Sequence, residues 1–89
     1  MTGLSAQIEH KGHTYYVQTQ DLGQRAGYVE SLIYRSGKLL TTRKTVYQSY
    51  LGRPDFKEKV AEIMHDQHGA VLREISEGKF DHFLDPGEK

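Results

Sequence analysis

Two X-Gly dipeptides decide most of the topology open to this chain. Lys11-Gly12 separates Gln7-Ile8-Glu9-His10 from His13-Thr14-Tyr15-Tyr16-Val17, and Ser36-Gly37 separates the run Tyr28–Arg35 from the run Lys38–Val46. Such a pair between β-branched and aromatic runs signals a two-residue hairpin, because glycine supplies the positive φ these turns demand. The segment Asp21-Leu22-Gly23-Gln24-Arg25-Ala26-Gly27 is then the longer connection between two hairpins. Strands are expected near residues 5–10, 13–20, 28–35 and 38–47.

The second hairpin can be read in register. With Ser36-Gly37 as the turn, Arg35 faces Lys38, Tyr34 faces Leu39, Ile33 faces Leu40, Leu32 faces Thr41 and Glu30 faces Arg43. The last pair sets opposite charges across from each other, as cross-strand pairing favours. Alternation puts Val29, Ile33, Leu40 and Val46 on one face. Tyr28, Leu32, Tyr34, Leu39 and Tyr47 fall on the other, with Glu30 and Arg43. Both faces are substantially apolar, and one helix covers only one of them.

That helix follows Gly52 and Pro54. Asp55-x-x-Glu58 fits a capping box. An apolar stripe runs Phe56, Val60, Ile63, Met64, Val71, Ile75 at amphipathic spacing. Ala61, His68 and Leu72 widen the stripe beyond what packing on one sheet needs. Gln67 falls near its middle, where an amide needs a partner or a wet site. Gly78 suits the residue that ends the helix. Phe80 and Phe83 predict that the tail packs back to about Leu84.

The fold class is therefore α+β: a three- to four-stranded antiparallel β-meander followed by one long C-terminal α-helix. A single domain is expected over residues 1–84, with a frayed tail over 85–89. A chain of 89 residues buries only about 60–65% of its unfolded surface. Its hydrophobic content is 36% and its mean hydropathy −0.71, which is polar for a domain that must close a core. There is no cysteine, so disulfides and zinc–thiolate sites are excluded. Oligomerisation is the remaining stabilising device the sequence can most easily supply. The 12 basic and 12 acidic residues cancel, which counts against a nucleic-acid-binding role. Met1–Ala6 is short, lacks a basic region and is unlike a signal peptide. No apolar run approaches the roughly 20 residues that cross a membrane, so a cytoplasmic location is expected.

Tyr16-Val17-Gln18-Thr19-Gln20-Asp21-Leu22-Gly23, then Tyr34-Arg35-Ser36-Gly37, Arg43-Lys44-Thr45-Val46-Tyr47 and Gln67-His68 resemble a group of short uncharacterised bacterial proteins. Their strand-end pattern is Val-Gln-Thr-x-Asp-x-Gly. The resemblance spans residues 14–80 and implies no activity, only that the small β-then-α unit can stand alone. Gln20 stands where the group carries an acidic residue, which removes a carboxylate partner for Asp21. Taken alone, Asp21 and Gly23 explain the segment as an Asx-turn loop former.

No spacing of histidine, serine, threonine and carboxylate gives a nucleophile–base–orienter signature, and no catalytic residue or cofactor is expected. His65 and His68, at i and i+3, could present two ring nitrogens to a metal, with Asp66, Asp81 or His82 as a third ligand. The zinc-enzyme pattern His-Glu-x-x-His is absent, so a metal-dependent enzyme is a minor alternative. His10 and His13 face each other across the first turn, which reads as turn composition. From Arg25 to Lys59 eight basic residues stand against Glu30, Asp55 and Glu58. With Tyr28, Tyr34 and Tyr47, Arg43 would make a platform on which single-stranded nucleic acid could stack. The favoured reading is a protein-interaction module, self-associating as a homodimer through the second sheet face. Leu32, Tyr34, Leu39 and Arg43 are its expected anchors.

Overall fold

A computed structural model describes residues 3–82. The expected packing of Phe83 and Leu84 and the frayed tail over 85–89 lie outside the described residues. Strands β1 (Gly3–His10), β2 (His13–Asp21), β3 (Tyr28–Arg35) and β4 (Lys38–Val46) are followed by a short 3-10 turn (Gln48–Tyr50) and helix α1 (Phe56–Ser76). The strands form one antiparallel sheet in the order β1-β2-β3-β4. The architecture is the expected α+β meander with a C-terminal helix.

Both two-residue turns form where the glycines placed them. Lys11 and Gly12 have φ of 52° and 82°, Ser36 and Gly37 have 52° and 84°. Two successive positive φ values define the type I′ geometry that matches the twist of paired strands. His10 pairs with His13, and Arg35 with Lys38.

Beyond Tyr34–Leu39 the expected register fails. Ile33 faces Thr41, Leu32 faces Thr42, Ser31 faces Arg43 and Glu30 faces Lys44, with an irregularity between Ile33 and Tyr34. Leu40 is the extra residue, a β-bulge that lets its side chain pack against the core. One inserted residue moves every later β4 side chain to the opposite face. Arg43 therefore sits on the helix side of the sheet, and Val46 on the open side. Beyond the end of β4, Tyr47 is fully buried with Val29, Val60 and Met64. All three were expected on the opposite faces.

α1 covers the face carrying Tyr15, Val17, Thr19, Val29, Ser31, Ile33 and Arg35, all buried. The core has two apolar clusters. One holds Tyr15, Val17, Ile33, Val71, Ile75 and Phe80; the other holds Val29, Tyr47, Val60 and Met64. Asp55 is the residue before the helix, but its carboxylate makes no capping bond. It takes a two-pronged bond from the Arg53 guanidinium at 3.0 and 3.0 Å instead. A nearby cation outcompetes the backbone N–H groups, and the expected capping box does not form. The other helix end closes as expected. Gly78 N–H donates to Ile75 O and Lys79 N–H to Glu74 O, the paired bonds of a Schellman motif.

Candidate functional site

Between the two apolar clusters lies a buried polar layer. Thr19 and Ser31 occupy facing positions on β2 and β3, with their hydroxyl oxygens 2.7 Å apart. Above them α1 brings His68, whose Nδ1 is 2.7 Å from Thr19 Oγ1. It also brings Gln67, whose Nε2 donates to Ser31 Oγ at 2.7 Å and to the Arg43 carbonyl at 3.2 Å. The Thr45 hydroxyl donates to Gln67 Oε1. Each of these five side chains is hydrogen-bonded within the layer, which is the condition for burying polar groups at tolerable cost. Burial pushes the His68 imidazole below its ordinary pKa, with a further push from His65.

This placement settles where the sequence-derived metal pair lies. His68 turns its Nδ1 into the core, while His65 is exposed. Among the described residues no group of three or more histidines and carboxylates is arranged to hold a metal ion. His10 Nε2 and Lys11 Nζ both approach the Asp81 carboxylate, at 3.2 and 2.8 Å, tying the first hairpin turn to the segment after α1. His10 and His13 face each other as expected.

A cleft of about 590 Å³ opens where the β2–β3 loop meets α1, lined by Asp21, Gln24, Phe56, Val60 and Met64 among others. Asp21 Oδ1 accepts the Gly23 N–H at 2.9 Å, the expected Asx turn, and also the Tyr47 hydroxyl. Burial, then the hydrogen bond to this carboxylate, push the Tyr47 phenol up to about 12.

Among the described residues no helix lies on the opposite face of the sheet. On it Tyr16 faces Tyr34, Gln18 faces Leu32, Tyr34 faces Leu39 and Tyr28 faces Val46. Tyr16 is 39% exposed, Leu39 52% and Val46 63%. The Tyr16 and Tyr34 rings lie 6.1 Å apart. Of the four expected anchors, Leu32, Tyr34 and Leu39 share this open face. Arg43 does not. Its guanidinium forms two parallel bonds to Glu74 on α1, at 2.8 and 2.7 Å, and holds that carboxyl below the usual carboxylate range.

The stacking platform for single-stranded nucleic acid loses both Tyr47 and Arg43 to the helix side. The cation that does reach the open face is Lys44, whose Nζ stands 4.8 Å over the Tyr28 ring and whose strand partner is Glu30.

The sequence reading missed Tyr16 and Val46 on the open face, and Thr19, Ser31 and Thr45 in the polar layer. For Thr19 and Ser31 a signal existed. Each is a polar residue in a period-two row of apolar ones, Tyr15-x-Val17-x-Thr19 and Val29-x-Ser31-x-Ile33, and Gln67 marks the matching level of the helix.

Comparison with protein-family models, with curated proteins and with solved structures gave no match to this chain. No helix among the described residues is long and apolar enough to cross a membrane.

Proposed function

We propose that this protein is a protein-interaction module that self-associates as a homodimer through its open sheet face. The observation that carries the reading is the one-sided cover: α1 buries one face, while Tyr16, Leu32, Tyr34 and Leu39 form a contiguous apolar patch on the other. Polar-rimmed apolar surface of this kind marks partner sites. Gln18, Glu30, Thr42 and Lys44 supply the rim. Tyr16 and Tyr34 are suited to the centre of an interface, because tyrosine offers large area with little side-chain entropy to lose. Leu32, Tyr34 and Leu39 are the anchors, joined by Tyr16. Arg43 serves the helix–sheet contact instead.

The test is molar mass by light scattering behind a sizing column at several concentrations, on the parent chain and on Leu32→Asp. The expected result is a parent mass at least twice 10.2 kDa, halved by the substitution with the helical circular dichroism intact. A parent at the monomer mass, or a variant of unchanged mass, overturns the proposal.

A further inference from the structure

The sheet has two edges, and they differ in a way that points to a second contact between copies. β4 carries Lys38, Arg43 and Lys44 and is broken by the bulge at Leu40. Charges, lysine above all, and bulges are the devices that keep an edge strand from pairing with another chain. β1 has none of them from Gly3 to Ile8. That stretch is uncharged and proline-free, and its register against β2 is unbroken from Gly3 to His10.

The phase of the free edge follows from one backbone hydrogen bond and from alternation. Ser36 N–H donates to Thr14 O, so the backbone groups of Thr14, Tyr16 and Gln18 point to β3, and those of His13, Tyr15 and Val17 point to β1. Their partners His10, Ile8 and Ala6 accordingly bond inward. Ser5, Gln7 and Glu9 turn their N–H and C=O groups outward. No described strand pairs with that row.

We infer that a second copy of the chain pairs antiparallel along the β1 edge, about a two-fold axis at Ala6, to make one eight-stranded sheet. A two-fold perpendicular to the sheet keeps both helices on one side, which requires outward-bonding residues to face outward-bonding residues. The axis at Ala6 sets Ser5 opposite Gln7 of the second copy, and Gly3 opposite Glu9, so no like charges meet. On the helix side it sets Leu4 opposite Ile8. Both are only partly buried at the rim of the two apolar clusters, and the second copy completes their cover. Axes one step either way pair Leu4 with His10 or shorten the overlap. This contact is independent of the open-face reading. If both hold, two eight-stranded sheets stack face to face into a four-copy assembly with dihedral symmetry.

The experiment uses the full chain in two variants. Ser5→Lys with Gln7→Lys sets lysines directly opposite each other twice across the axis, on exposed side chains that leave the β1–β2 pairing untouched. Its mass by light scattering should fall to half that of the parent, with an unchanged dichroism spectrum. Ala6→Cys introduces the chain's one cysteine. With oxidised glutathione as oxidant it should convert to a disulfide-linked pair, while Glu62→Cys on the exposed side of α1 stays monomeric on a non-reducing gel. A double-lysine variant with the parent's mass, together with an Ala6→Cys chain that does not cross-link faster than Glu62→Cys, overturns the inference. Leu32→Asp separates the two contacts. If it leaves the mass unchanged while the double-lysine variant halves it, the edge contact stands and the face contact falls; the reverse pattern sinks the edge.

Discussion

The Thr19 hydroxyl and the Nδ1 of His68, 49 residues apart in sequence, lie 2.7 Å from each other inside the core. The direction of that bond follows from its neighbours. Both N–H groups of Gln67 are spent, on Ser31 Oγ and on the Arg43 carbonyl. Ser31 Oγ accepts there and so donates onward to Thr19, which donates to His68 Nδ1. His68 is thus the neutral ring with its proton on Nε2. Reversing the chain would leave the Ser31 proton without an acceptor in the layer.

Acid should therefore weaken the fold before the carboxylates titrate. The His68 pKa is lowered from 6.5 in the folded state, so the unfolded chain binds the proton more readily. The stabilisation is fully present above pH 6.5 and is lost as pH falls below it towards the folded value. Urea midpoints should decline between pH 7.5 and 5.5, and His68→Phe should flatten that decline whatever its own stability. Imidazole nitrogen shifts should report Nε2 protonation at pH 7.5. An Nδ1-protonated ring, or a pH-independent parent midpoint, would refute the assignment.

Thr19→Val keeps the shape and removes the hydroxyl that links Ser31 to His68. Leaving such buried groups unsatisfied costs about 1–3 kcal/mol each. The unfolding free energy should fall by about that amount, with native secondary structure retained. A neutral outcome would mean that the layer rearranges around the missing hydroxyl.

Much of this fold was legible because its signals are local. The Lys11-Gly12 and Ser36-Gly37 turns need only their own φ values, and the stripe from Phe56 to Ile75 needs only helical periodicity. The face of Arg43 was not legible, because the bulge at Leu40 depends on what Leu40 can reach in the core. Asp55 marks the helix start correctly, yet its carboxylate goes to Arg53, a competition that a capping pattern does not encode. Gln67 advertises a need for partners, but Thr19, Ser31 and Thr45 become those partners only once three strands are aligned. The open face was legible as spare apolar surface, and its membership changed after the bulge.

Alkali should act through Tyr47. Its pKa rises from 10.0 to about 12 in the folded protein, so the contribution is intact below pH 10 and is lost as pH rises through about 12. Tyrosinate absorbance should show one of the six tyrosines ionising near the upper end of that range, in step with unfolding. Tyr47→Phe should remove this phase. A variant with the parent's full absorbance titration would show that the late phase belongs to another ring.

Gly78 holds φ at +83°, and a Cβ there would sit 3.0 Å from Asp81 Oδ2. Left-handed backbone costs a non-glycine residue about 1–2 kcal/mol, and the displaced Asp81 would also strain its contacts with Lys11 and His10. Gly78→Ala should therefore lower the thermal midpoint, and Gly69→Ala, at a helical position with open space, should raise or preserve it. Equal effects at the two sites would deny Gly78 its role as a helix stop.

Arg43 offers the sharpest division between the sequence reading and the structure. As an anchor on the open face, its loss would disperse an assembly; as the Glu74 partner under α1, its loss would only loosen the helix–sheet contact. The pair is two-pronged but partly solvated, with side chains 36% and 28% exposed, and such pairs contribute about 0.5–1 kcal/mol. Because Arg43 holds the Glu74 carboxyl down, that contribution is present above the carboxyl's ordinary value of 4.5 and fades as pH falls through the lower folded value. Arg43→Ala should thus cost about 0.5–1 kcal/mol in urea unfolding at pH 7, and less at pH 3. It should leave the mass in solution equal to that of the parent. A fall in mass with unchanged stability would return Arg43 to the open face and displace the bulge at Leu40.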